Sequence, residues 1–395
     1  MRIALLHSFY ASDQSSGENV VVEAQAEALG RAGHDVLLLG RHTDAEQHRG
    51  GYKVRAAFRT VTSLGPNPAP RLREFAPDVV HVHNTVPNIG LRWLRHWPGP
   101  VVHTLHNFRP LCANGLLFRD GRLCTDCPDG RPWSAVEHAC YRESRVATGP
   151  IALRNTLGLG ANPLLNRADA LVVLSEFARA TFARYGVDAS RLVLLPNGVP
   201  AAHAGAGPAP STPRWLAVGR LRAEKGFAEL LRGWPADQPL DIVGDGPQRD
   251  ELAALAGPSV RLLGPLPSAR LRASMADYSG LVFSSLAPES AMPLVVVEAL
   301  EAGVPVVIVE SSPHAASLVA EGVARAVAVD DGDQGVSQAS LAAALEWAVA
   351  GGDALRRRCR GVYEAHHTEE LWVHRMTKVY RRAGAQAGAG AGDPA

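Results

Sequence analysis

The feature that most constrains this chain is an alternation of short apolar runs with helix-like stretches, interrupted once by a segment too poor in apolar side chains to build a core. Residues 2–6 are apolar, a loop follows at Ser15-Ser16-Gly17, and a helix-like stretch at 18–32 ends at Gly33 before a second strand at 36–39. That is a βαβ unit. Further strand-like runs at 79–82, 101–105, 170–174 and 192–195 are spaced widely enough for crossovers, which predicts a parallel sheet covered on both faces. The segment 200–213, PAAHAGAGPAPSTP, reads as a linker. A second series follows it, with strands at 215–218, 240–243, 260–263, 281–284 and 304–309 and a helix pair at 341–350 and 354–366. The expected fold class is therefore α/β, with two doubly wound, Rossmann-like domains. They span 1–199 and 214–367, and are followed by a helix at 368–382 and a low-complexity, disordered tail at 383–395.

Composition narrows the function. With 395 residues and 46% apolar content, each half can bury a core of its own. The 40 basic and 39 acidic side chains leave a formal charge of +1, which gives no footprint for nucleic acid. The apolar run at the N-terminus is too short for a signal-peptide core, and no later run reaches the length of a membrane span, so a cytoplasmic protein is expected. The stretch 91–97, LRWLRHW, has two readings: an amphipathic helix on the sheet, which is the favoured one, or a peripheral contact with the inner face of a membrane.

Ligands of doubly wound sheets bind beyond the carboxyl ends of the strands. In the first half those ends carry His7, His83 with Asn84, His106 with Asn107, and Ser175 with Glu176. In the second half, one strand end runs into Gly219-Arg220-Leu221-Arg222-Ala223-Glu224-Lys225-Gly226. Gly219 permits close backbone approach, while Arg220 and Lys225 place two cations beside a helix N-terminus, as a diphosphate requires. Only three of the 40 basic residues are Lys, which favours a specific task for Lys225 over a solvated surface charge. Gly244-Asp245-Gly246-Pro247 follows the next strand and would by itself be simple turn chemistry. Further on, Glu289 sits in a loop, and Ser290, Ala291, Met292, Pro293 and Leu294 lead into a helix that carries Glu298. The amides there can hold phosphate or sugar hydroxyls, and a carboxylate can chelate a ribose diol.

Four of the five cysteines, Cys112, Cys124, Cys127 and Cys140, are spaced by 11, 2 and 12 residues. A C-x2-C pair with two more thiols nearby favours a closed structural zinc site over free or redox-active thiols.

Taken in order, Gly-Arg-x-x-x-Glu-Lys-Gly, Gly-Asp-Gly-Pro and the acidic loop before Pro-Leu-Val-Val-Val-Glu-Ala resemble the retaining glycosyltransferases of family 4. The likeness covers nearly the whole chain and includes Ser16 to Glu18, Val82 to Asn84, Leu105 to Asn107, Leu174 to Phe177 and Pro196 to Val199. The cysteine-rich stretch at about 107–145 resembles an insert found in a subset of these enzymes.

The resemblance implies a GT-B fold, two Rossmann-like domains facing a central cleft. It implies a nucleoside-diphosphate sugar as donor on the C-terminal domain, and an acceptor glycan, lipid-linked or small, on the N-terminal one. It also implies no catalytic metal, and a last helix that returns to the first domain. By position, Arg220 and Lys225 would neutralise the diphosphate, Glu298 would bind the ribose, Gly17 would let its loop approach the phosphates, and His106 would contact the donor sugar near the reacting carbon. Eight residues separate Glu289 from Glu298 where the family has seven, so either Glu289 reaches the site through a bulge or Ser290 takes the first acidic place. The reaction expected is retaining sugar transfer in cell-surface polysaccharide or glycoconjugate synthesis. A sugar-nucleotide epimerase of the same fold and a non-catalytic sugar-nucleotide-binding protein are its rivals.

Overall fold

The computed structural model describes residues 1–12, 16–330 and 335–390, and the chain divides into two compact units. One comprises residues 1–117, 124–197 and the chain from Glu370 onward; the other comprises 198–369 with the short segment 118–123.

Among the described residues the first unit has strands β1 (Arg2–Phe9), β2 (Asp35–His42), β3 (Val79–Val82) and β4 (Val101–Leu105). A two-residue hairpin, β5 (Phe118–Arg119) and β6 (Arg122–Leu123), belongs with the segment 118–123. Strands β7 (Ala170–Val173) and β8 (Leu192–Leu194) complete a parallel sheet ordered β2-β1-β3-β4-β7-β8. The interior strands β3, β4 and β7 are buried without a break because helices cover both faces, and Leu6, Val82, Leu105 and Val173 enter one core with Phe108 and Phe182. The helix Gly17–Arg31 follows β1. Ser16 caps it by accepting from Asn19 N at 3.4 Å, and Glu18 in its first turn complements the helix dipole. Gly17 is thus the first helical residue and is exposed; Ser15 lies outside the described residues.

The second unit repeats the plan with β9 (Trp215–Val218), β10 (Leu240–Val243), β11 (Val260–Gly264), β12 (Gly280–Phe283), β13 (Val306–Val309) and β14 (Ala324–Val327), all parallel. Their order is β11-β10-β9-β12-β13-β14. Successive residues alternate between two cores: Leu281, Phe283, Val306 and Ile308 enter one, while Val282, Val307 and Val309 enter the other. This two-residue period is the direct signature of a sheet buried on both sides. Trp215 is fully buried on β9, and a Cβ at Gly280 would sit 2.6 Å from its ring, so the glycine makes room for the indole. The edge strand β14 falls outside the strands expected from sequence because it is short and turns Arg325 outward.

The linker-like segment 200–213 has no helix or strand but is tied to the second unit. The fully buried Glu301 accepts from the amides of Ala202 and His203, each at 2.9 Å, and Arg356 Nε donates to Gly207 O at 2.9 Å. The expected helix pair is one run, Gln338–His366, broken at Gly352, where φ is +47°. The last helix, Glu369–Gly390, buries Trp372, Met376, Tyr380 and Ala383, a stripe at helical spacing, and continues well into the segment expected to be disordered from 383. Residues 391–395 lie outside the described ones. Tyr380 Oη and His81 Nδ1 are hydrogen-bonded at 2.8 Å within the first unit.

Candidate functional site

In the second unit the loop after β9 is pressed against its neighbours. Gly226 has φ +67°, and a Cβ there would lie 2.2 Å from Ser284 O; Gly244, at φ +147°, would put one 1.8 Å from Gly219 O. Only glycine fits either place, so the loops following β9, β10 and β12 meet backbone to backbone. Gly219 is itself tight, with the Phe227 ring 3.3 Å from where a Cβ would stand.

This packing holds Lys225 at the end of a single helical turn, Ala223–Lys225, whose last carbonyl accepts from Ser284 Oγ at 2.8 Å. Its Nζ donates to Glu289 Oε1, which also accepts from Ser285 Oγ at 3.0 Å. Burial works to raise the Glu289 pKa, but the Lys225 ammonium and the Ser285 hydroxyl outweigh it and hold the carboxyl below its ordinary value. Glu289 is therefore an anion paired with Lys225, and the loop reaches that cation in spite of its extra residue. Arg220 is exposed and has no ion pair among the described residues.

Ser290, Ala291, Met292 and Pro293 precede the helix Leu294–Glu301, whose N-cap is Pro293. Ser290 is buried and Leu294 is half-buried. Glu298, in the middle of that helix, is mostly buried, which raises its pKa against the pull of Arg272 3.8 Å away. Arg272 carried no signal in the sequence; a cation on a short helix, Ser268–Ser274, cannot be matched to an acid 26 positions on without the fold. His314 carries no such signal either. It is buried after β13, its ring is hydrogen-bonded to the backbone of Glu289 and Ala291, and burial lowers its pKa.

In the first unit, adjacent strands β1, β3 and β4 bring His7, His83 and His106 to one rim. His83 Nδ1 and His106 Nε2 are 2.9 Å apart, and the His7 and His83 rings are 6.2 Å apart between centroids. Burial holds His7 at about 4 and His83 and His106 well below their usual value, so all three are neutral at pH 7. An open cavity beside them is lined by Glu18, His83, His106, Asn107, Arg109 and Arg154, among others. Glu18 accepts from Tyr10 Oη at 3.3 Å and Asn107 Nδ2 at 3.4 Å. Burial raises its pKa to about 7, against the opposing charge of Arg109. Its place in the Ser-Gly-Glu motif was the only hint of this.

The expected zinc site is not formed: among the described residues no group of three or more Cys, His, Asp or Glu could hold a metal ion. Instead Cys112 Sγ donates to Asn114 Oδ1 at 2.9 Å and Cys127 Sγ to Pro132 O at 3.9 Å. Burial raises the Cys112 pKa, and burial together with the neighbouring Cys112, Cys140 and Cys124 pushes Cys127 up to about 12, so both are neutral thiols. Cys124 is half-buried, and Cys140 packs on a small core of Ala113, Ala135 and Ile151. The 91–97 stretch forms a short turn, Arg92–His96, rather than a full helix, and sends Leu91, Trp93 and Leu94 into the core. No helix among the described residues is long and apolar enough to cross a membrane.

Two family models match in tandem, Glycosyltransferase Family 4 over residues 15–203 and Glycosyl transferases group 1 over 212–350. Together they span both units. The chain is a family-4-like glycosyltransferase. Solved structures similar to this glycosyltransferase share its GT-B fold. Sucrose-phosphate synthase from Thermosynechococcus elongatus is 19% identical at a TM-score of 0.67, with 98% of this chain and 99% of that one covered. HepE from Anabaena, in complex with UDP-glucose, is 15% identical at 0.60, covering 96% and 99%. WaaG, a glycosyltransferase involved in lipopolysaccharide biosynthesis, is 16% identical at 0.56, covering 94% and 97%. No curated protein matches the glycosyltransferase.

Proposed function

We propose that the glycosyltransferase moves a sugar, with retention, from a nucleoside-diphosphate sugar to an acceptor hydroxyl during synthesis of a cell-surface polysaccharide or glycoconjugate. The observation that carries this reading is the loop after β9, where Lys225, tied to Glu289, shares one short turn-rich segment with an exposed and unpaired Arg220. An ammonium has three donors, and Glu289 takes one. Two remain for phosphate oxygens, and Arg220 adds a guanidinium fork. HepE, which binds UDP-glucose, and WaaG, which serves lipopolysaccharide synthesis, support the donor class and the biological setting.

In this mechanism the second unit holds the donor. Gly219 and Gly244 keep backbone close to the diphosphate, Glu298 takes the ribose hydroxyls, and Glu289 with the segment from Ser290 to Leu294 takes the sugar. The first unit holds the acceptor. Glu289 is already engaged by Lys225 and Ser285, which disfavours it as a covalent nucleophile. The acceptor oxygen then forms its bond to the anomeric carbon on the face from which the phosphate oxygen departs. The acceptor's proton passes to that departing oxygen, leaving a nucleoside diphosphate and an α- or β-glycoside of the donor's own configuration. Arg220 and Lys225 stabilise the charge that builds on the leaving group.

Calorimetric titration with UDP- and GDP-sugars, followed by anomeric proton NMR of the product formed with a panel of acceptors, tests the reading. Retained configuration is the expected result. An inverted product would remove the same-face mechanism, and conversion of the nucleotide sugar with no acceptor present would identify an epimerase.

A further inference from the structure

The first unit's cavity has a charge that nothing among the described residues answers. Of its two guanidinium groups, Arg109 lies near Glu18, Tyr10 and Tyr141. The Arg154 guanidinium makes no ion pair or hydrogen bond among the described residues, and burial lowers its pKa with no anion to oppose it. The one titratable neighbour that feels it is His103, which burial holds at about 4 and which is therefore neutral. Arg154 is half-buried in the cavity wall, and a guanidinium partly withdrawn from water without a counter-charge carries a desolvation cost that an anion would offset. Arg154 occupies the last turn of the helix Arg145–Asn155, where the helix dipole offsets only a small part of that cost.

Two further lining residues are incompletely satisfied. Asn155, next to Arg154, has its Nδ2 buried without an acceptor, and Glu18 has Oε1 buried without a donor. Buried polar atoms are rarely left this way unless a ligand or solvent completes them. The lining thus offers an uncompensated cation with an adjacent amide donor, and separately a carboxyl oxygen in want of a hydroxyl.

We propose that this cavity binds a sugar-like molecule carrying an oxyanion, phosphate or carboxylate, with the oxyanion on Arg154 and Asn155 and a hydroxyl hydrogen-bonded to Glu18. That this molecule is the acceptor rests on the transfer reading above; that it is an oxyanion rests on Arg154 and its surroundings. The two can be tested apart.

The full-length wild-type chain is labelled with phenylglyoxal, and modification of Arg154 is followed by peptide mass spectrometry, a readout confined to that guanidinium. Glucose 6-phosphate, glucuronate and glucose serve as probes. Protection of Arg154 by the phosphate or the carboxylate and not by glucose is expected, and which of the two protects identifies the oxyanion. No protection by either, or equal protection by glucose, overturns the proposal. In calorimetric titrations of the protecting probe, Arg154→Gln should lose about tenfold or more in affinity, since a charge-assisted hydrogen bond is worth roughly 1.5–3 kcal/mol. Unchanged affinity overturns it as well. A separate titration of UDP into the wild-type chain reports on the transfer reading, and its failure would leave the oxyanion result standing.

Discussion

Lys225 and Glu289, 64 positions apart, form an ion pair in which the ammonium donates to the same carboxylate oxygen that Ser285 Oγ reaches at 3.0 Å. The pair joins the loop after β9 to the loop after β12. Lys225 is thereby placed by its own acid before any donor arrives. Lys225→Ala removes a charge-stabilising group and leaves Glu289 without a counter-ion. Turnover measured with the preferred nucleotide sugar should fall by roughly 3 kcal/mol of transition-state stabilisation, a hundredfold or more. Near-normal kcat in that variant would withdraw Lys225 from the leaving-group role.

Arg220 differs in having no partner to lose. Its replacement by Ala should change the urea midpoint little, about 0.5 kcal/mol or less, as for other exposed side chains without structural contacts. UDP affinity, read by calorimetry, should nevertheless weaken about tenfold through loss of a charged hydrogen bond. A variant that melts early while binding UDP normally would reverse this assignment.

Glu18 makes the first unit's stability depend on pH. Its folded pKa of about 7 lies above its ordinary 4.5, so the folded state binds the extra proton between those values. The stability contributed by the protonated carboxyl is fully present below about pH 4.5 and is lost as pH rises through 7, by an amount of order 3 kcal/mol. Urea midpoints of the wild type and of Glu18→Gln, compared from pH 5 to 8, should diverge, with the variant flatter over this window. Parallel curves would show that Glu18 titrates as an ordinary surface acid.

Glu301 anchors the segment that composition marks as a linker. It accepts from the amides of Ala202 and His203 and from Arg360 Nη1, each at 2.9 Å. Glu301→Gln should leave Arg360 with Glu364 as its remaining carboxylate partner and destabilise the second unit by about 1–3 kcal/mol through weakened charge-assisted hydrogen bonds. Hydrogen exchange at Ala202 and His203 should quicken in step. If those amides exchange freely in the wild type, the segment is a loose tether and the anchoring is wrong.

Much of the architecture is local and so was readable. Strands at 79–82, 101–105, 215–218 and 240–243 match β3, β4, β9 and β10 residue for residue, because apolar runs bounded by turn residues are set by near neighbours. The strand-end loop from Gly219 to Gly226 could be read in the same way. The edge strand β14 could not, since it is only four residues long, Ala-Arg-Ala-Val, with no strongly apolar run of its own, and its pairing with β13 decides it.

The sequence by itself determined two parallel α/β sheets, the break near residue 200 and the strand ends that bear Arg220, Lys225, His83 and His106. Tertiary structure alone decided which charges meet: Glu289 with Lys225, Glu298 with Arg272, and Arg154 with no anion among the described residues. It also decided that no group of three or more possible metal ligands forms among the described residues, the four cysteines included, and that burial raises the Glu18 pKa to about 7. Periodicity is written in adjacent residues, whereas pairing and desolvation depend on groups that approach from distant parts of the chain.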